Sequence, residues 1–299
     1  VKDAPRAQRT VESALALDPT DVDAMTELER LAPVTGGWKE AADALAQALG
    51  AQGDDIPTAT RAELWMRLGG WRRDKLSDSH GAEEAFLEAK KADPESLDVL
   101  RAIEDLQRAP GRERALVATL RARAKLDGDP DAKRMLLKEA KNLAEGNLAD
   151  PVLAETVVRD LLSDDEGDLW ALEELTRMRE SANAWEEVAK LLQKRVEVEA
   201  DGRVVGELRH RAADVFKSKL HEPKRAIALY KELLDADPGD VVAQNALREL
   251  YSQTGNNKEL ARLLESLIDA ADSAGARATL RIDLAKLQDA EGEVREAIN

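Results

Sequence analysis

Apolar positions in this chain recur three and four residues apart, in runs separated by short polar turns. The clearest run lies between Gly206 and Asp240, where Ala226, Ile227, Tyr230, Leu233 and Leu234 form one stripe. That spacing predicts a helix with one buried face. Pro223 stands at the expected first turn, where its missing N–H costs nothing. Pro238 ends the run, because the residue before a proline is pushed out of the α region. Asp240 follows as the expected N-cap of the next helix. The stretch upstream of Pro223 carries a similar stripe, so the whole segment reads as two helices joined by a turn.

The same pattern recurs along the chain. Asp18-Pro19, Asp93-Pro94, Asp165-Glu166 and Asp237-Pro238 are spaced by 75, 72 and 72 residues. Asp21, Ser96, Asp168 and Asp240 follow in phase as N-cap candidates, and Leu28, Ile103, Leu175 and Leu247 follow as core candidates. Leu64, Leu136, Leu208 and Leu280 align on a later helix of each unit. Ala82, Ala154 and Ala226 align on the helix after it, as do Phe86, Val158 and Tyr230. Self-similarity at a fixed period is the mark of a repeat architecture. Each unit divides into two helix pairs, and several helix turns carry one extra residue. Gly53, Gly128, Gly202 and Gly275 mark the loops expected to flex.

The pattern A-I-x-x-Y-x-x-L-L-x-x-D-P from Ala226 to Pro238 resembles the second helix of a tetratricopeptide repeat (TPR). The resemblance covers nearly the whole chain: a lone second helix over 5–17, seven full repeats from 21 to 271, and an eighth starting near Ala276. It implies an all-α, right-handed superhelical solenoid of antiparallel helix pairs, read as one repeat domain over 1–299 and as a piece of a longer chain. It also implies that first-helix positions line a groove for protein partners. By register these include Thr26 and Arg30; Arg101 and Asp105, with Asp98 and Arg108; Lys138 and Asn142; Trp170, Glu173 and Arg177; His210 and Asp214, with Glu207 and Lys217; and Asn245 with Glu249. Trp170 reads either as a groove anchor, with Lys138 and Asn142 on one side and His210 and Asp214 on the other, or as a core residue one position out of register. Trp38, Trp65, Trp71 and Trp185 read as packing residues. Lys138 and Asn142 have the spacing of the carboxylate clamp in chaperone-binding TPRs. Arg211 fits that clamp, but Glu174 and Glu207 break it.

Composition narrows the partner class. The net charge is −16, with 35% charged residues of both signs. This argues against a nucleic-acid or anionic-membrane surface and favours protein or peptide partners, including ones with basic or charged segments. No run approaches the roughly 18 apolar residues of a membrane span, so no membrane insertion is expected. Cysteine is absent, which excludes thiolate metal sites, Cys nucleophiles and disulfides. The three histidines fall in no metalloprotease or triad pattern. Asp127, Asp129 and Asp131, like Asp235, Asp237 and Asp240, read as turn and cap residues rather than a calcium loop. No catalytic residue, metal or cofactor is expected. The sequence reads as a non-enzymatic scaffold, with the docking region of an enzyme or a peptide sensor as alternatives. Self-association through uncapped ends is a further option, and a cytoplasmic setting is favoured over a periplasmic one.

Overall fold

The computed structural model describes residues 3–52 and 55–290; Gly53 and the end of the partial eighth repeat lie outside the described residues. Every regular element among them is helical. A lone helix α1 (Ala4–Leu17) precedes the pairs α2 (Val22–Thr35) with α3 (Trp38–Gln52), and α4 (Thr58–Leu76) with α5 (Ser79–Ala92). Next come α6 (Leu97–Gln107) with α7 (Glu113–Leu126), and α8 (Pro130–Asn142) with α9 (Pro151–Asp164). The chain continues with α10 (Leu169–Ser181) and α11 (Trp185–Val198), α12 (Gly202–Asp214) and α13 (Pro223–Ala236), α14 (Val241–Thr254) and α15 (Asn257–Ala270), and finally α16 (Ala274–Ala290). The fold is an all-α repeat of TPR-type helix pairs. Gly202 and Gly275, expected in loops, sit instead in the first turns of α12 and α16. Two compact units are present, Val1–Leu161 and Leu162–Asn299.

The repeat marks act as their chemistry suggests. Asp18, Asp93, Asp165 and Asp237 each accept the backbone N–H two residues on, at 2.9, 3.2, 2.9 and 2.9 Å. This Asx turn needs only the aspartate, so Asp165 makes it without a following proline. Asp21, Asp168 and Asp240 accept the N–H three residues on at 3.0, 2.8 and 3.0 Å, and Ser96 does so at 3.4 Å. These caps satisfy donors that a helix N-terminus otherwise leaves unpaired. The acidic trio at Asp127, Asp129 and Asp131 is committed in the same way. Asp127 accepts from Asp129 N–H and Asp129 from Asp131 N–H, both at 3.0 Å.

The extra residues noticed in the sequence have a defined place. After α8 and α12 the chain widens into single π-turns, Leu143–Asn147 and Val215–Lys219, which are in phase. Each pair turn then closes on a residue with positive φ. Gly36, Gly111, Asn183 and Gly255 occupy this place in the first pair of each of the four long sequence repeats, and Ser77, Ala149 and His221 in the second pair of the first three.

The core follows the predicted stripes. In the first unit Leu28, Leu64, Leu68 and Trp71 belong to one buried cluster, while Ala82, Phe86 and Ile103 belong to another. In the second unit Leu208, Phe216, Ala226, Tyr230 and Leu247 are buried together. Alanine at 82, 154 and 226 is fully buried, which lets successive helices approach while Phe86, Val158 and Tyr230 fill the space between. Trp38 and Trp71 pack with ring centroids 5.6 Å apart, and Trp185 packs against the core of the second unit.

Candidate partner-binding site

In the first unit, α6 and α8 carry the candidate residues. Arg101 and Asp105 are exposed on α6, where Arg101 pairs with Asp98 at 3.2 Å. Lys138 and Asn142 lie together on α8 and line a cleft of about 640 Å³. Arg123 and Asp127 from the end of α7 form part of its wall, and exposed Met135 supplies an apolar rim. A charge network that the repeat register did not reveal runs along this face and is anchored on one buried carboxylate. Glu104, only 5% exposed, accepts from Arg123 on α7 and from Arg108 at 2.6 Å, and Arg108 also reaches Glu139 of α8 at 2.6 Å. A buried carboxylate is tolerated when it is paired and hydrogen-bonded in this way.

In the second unit, α10 places Leu172 and Leu175 in the core and leaves Glu173 and Arg177 exposed. Trp170 is half-buried, between the two roles the sequence allowed. Arg177 pairs with Glu174 at 3.0 Å, and Glu173 faces Arg195 of α11 at 3.8 Å. On α12 Asp214 is exposed, whereas His210 is half-buried. The His210 imidazole Nε2 meets Asp240 Oδ2 at 2.6 Å, so one aspartate caps α14 and also ties it to α12.

A ladder of such cross-links joins first helices of successive repeats within each unit. Glu29 of α2 receives Trp71 Nε1 at 3.1 Å, and Arg67 of the same α4 approaches it at 3.4 Å. Arg108–Glu139 follows between α6 and α8. In the second unit Arg211–Glu180 at 2.6 Å links α12 to α10, Lys217–Glu249 joins the π-turn after α12 to α14, and Arg248–Asp283 at 2.7 Å links α14 to α16. Several polar residues that the register assigned to the groove, Arg108, Lys217 and Glu249 among them, thus serve partly as inter-repeat ties. A second cleft of about 830 Å³ opens between α3, α4 and α5, with half-buried Trp65 in its wall. The sequence read Trp65 as packing, and it does contact the two clusters named above. Its indole sits at the margin of the core because α3 and α5 do not close over it.

No family model matches the chain, and no curated protein matches it. Solved structures do. One is the complex of Naa15 and Naa10 bound to HypK-THB, at 17% identity and TM-score 0.40, covering 96% of this chain and 53% of that one. The chain therefore spans about half the length of that structure. Others are the P58(IPK) TPR domain, at 16% identity, TM-score 0.29 and 97% and 94% coverage, and a TPR protein from Parabacteroides merdae ATCC 43184, at 17% identity, TM-score 0.30 and 79% and 89% coverage. At these values the similarity is one of fold alone. Helix pairs repeating in register, each turn closed by a left-handed residue, make the architecture of this chain TPR-like.

Proposed function

We propose that the chain is a non-enzymatic scaffold, one repeat domain that holds a protein or peptide partner on the first-helix faces of its repeats. The observation that carries this reading is the cleft on α8. Two residues chosen by repeat register, Lys138 and Asn142, line a space of about 640 Å³ together with apolar and charged neighbours. Pockets of this size and mixed lining suit short segments of a partner. The half-buried Trp170, with Glu173 and Arg177 on the same helix, supplies an aromatic anchor within a charged rim. The net charge of −16 favours a partner that brings basic residues. A non-catalytic role fits two of the three histidines, since His210 serves the α12–α14 tie and His221 closes a turn.

The test uses a partner captured by the full chain. Trp170→Ala should weaken that complex by about 2 kcal/mol while leaving the melting curve nearly unchanged. Lys138→Ala with Asn142→Ala reports separately on the α8 cleft. Unaltered affinity in both variants would overturn the reading, and a large melting shift for Trp170→Ala would assign the indole to the core.

A further inference from the structure

Arg123 in α7 and Arg195 in α11 occupy the same position of successive units, 72 residues apart. Arg123 has an internal counterion, the buried Glu104. The corresponding residue of the next unit is Thr176, whose hydroxyl is committed to Leu172 C=O at 2.6 Å and offers no charge. Arg195 is nevertheless retained, only 8% exposed. Its Nε is buried without a hydrogen-bond partner, and among the described residues its guanidinium meets a carboxylate only at Glu173, 3.8 Å from Nη2. That distance is beyond hydrogen-bond range. The Nε of Arg123 is unpartnered as well, so what separates the two copies is the lost carboxylate. A buried guanidinium without a close anion is costly, and its planar fork is matched by a carboxylate.

The carboxylate nearest this guanidinium, Glu173, belongs to the helix that carries the proposed binding face. Glu173 lies one helical turn from Trp170, and its side chain is 63% exposed. We propose that Arg195 is an anion-binding site, which takes a carboxylate of a bound peptide beside Trp170 in place of the missing internal glutamate. The proposal rests on the partner-binding reading and refines it: the partner carries an acidic group here, whatever basic residues it presents elsewhere. Arg195 differs from the register-selected residues in lying on the second helix of its repeat.

The test follows the Nε–H resonance of Arg195, identified by its loss in Arg195→Gln, in the ¹⁵N-labelled full chain. Three short peptide probes are titrated: one capped at both ends with a single Glu, one with Gln and a free C-terminal carboxylate, and one capped with Gln. A shift by the first assigns the site to a side-chain carboxylate, and a shift by the second alone assigns it to a chain terminus. The third should leave Arg195 unmoved. Thr176→Glu restores the internal counterion and should weaken the carboxylate probe by about tenfold or more while the melting temperature holds or rises. Glu173→Gln, a surface change, should tighten it by removing the competing carboxylate. An Arg195 resonance unmoved by both carboxylate probes, or equal affinity in Thr176→Glu, would overturn the proposal. The Trp170 indole resonance separates the two readings. If the neutral peptide moves Trp170 and nothing moves Arg195, the anion site fails and the partner-binding face stands.

Discussion

Single residues show how small differences between copies are absorbed. Gly69 on α4 faces Phe86 on α5, and a methyl group at 69 would fall well inside van der Waals contact with the ring. In the corresponding positions of later units, Lys141 and Ala213 are paired with Val158 and Tyr230. Glycine thus makes room for this particular aromatic. Helix propensity alone would favour Gly69→Ala by about 1 kcal/mol, but overpacking costs about 1–3 kcal/mol. The variant should therefore be destabilised in chemical denaturation, and Phe86→Leu in the same chain should recover part of the loss. Tyr230 offers a pH test. Burial, reinforced by the charges of Asp214, Glu249 and Asp240, pushes its phenol up to about 12 from 10.0. Burial, with Glu259, raises Tyr251 in the same direction. A raised folded-state pKa means this contribution is complete below the unfolded value of 10.0 and is lost as pH rises toward about 12. With two tyrosines in the chain, tyrosinate absorbance should develop later in the folded protein than in the denatured chain. Ionisation of both phenols near their ordinary value would show that Tyr230 is not enclosed.

At the scale of the element, each repeat is closed by one residue in the left-handed region. In four turns it is glycine or asparagine, as expected where a Cβ is penalised. The second pairs use Ser77, Ala149 and His221 instead, immediately after the widened helix ends of α8 and α12 in the last two cases. Their geometry is held by the flanking backbone. Asp78, Asp150 and Glu222 donate to carbonyls six residues back, at 2.9, 2.9 and 2.8 Å. Ala149 is exposed with φ 48°, so Ala149→Gly should stabilise the protein by about 0.5–1 kcal/mol. Gly255 has φ 67° and open space around it, so Gly255→Ala should cost about 1 kcal/mol through the backbone alone. Opposite shifts in thermal midpoint are the expected pair of results. Matching signs would mean that these turns do not hold their dihedrals in solution.

At the scale of the whole molecule, stability in an array of this kind is close to a sum over neighbours. Phe86 is 1% exposed and belongs to a cluster drawn from α5 and α6, with Trp65 and Met66 of α4 packed against it. Phe86→Ala should therefore cost about 3–5 kcal/mol, with loss of amide protection concentrated in α4 to α6. Hydrogen exchange measured helix by helix is the check, and unfolding should depart from two-state behaviour. A uniform loss of protection along the chain would instead show a single cooperative core.

The sequence by itself determined the helices, their phase and their buried faces, because these depend on local rules. Residues three and four apart share a helix face, Asp or Ser caps the helix it precedes, and a proline or left-handed residue ends one. Hence Asp21, Ser96, Asp168 and Asp240, and the alanines at 82, 154 and 226, were legible from spacing alone. What polar groups on the first helices do was decided only by tertiary packing. Arg108 meets Glu139, Arg211 meets Glu180 and His210 meets Asp240 about one repeat away in sequence. Nothing local distinguishes these residues from freely solvated ones. Trp170 is half-buried for the same reason, since a helical wheel fixes direction but not how closely the neighbouring helix approaches. Arg195 needed both kinds of information. Its register with Arg123 is written in the sequence, while the burial that leaves it without a close carboxylate exists only once α11 is packed beneath α10.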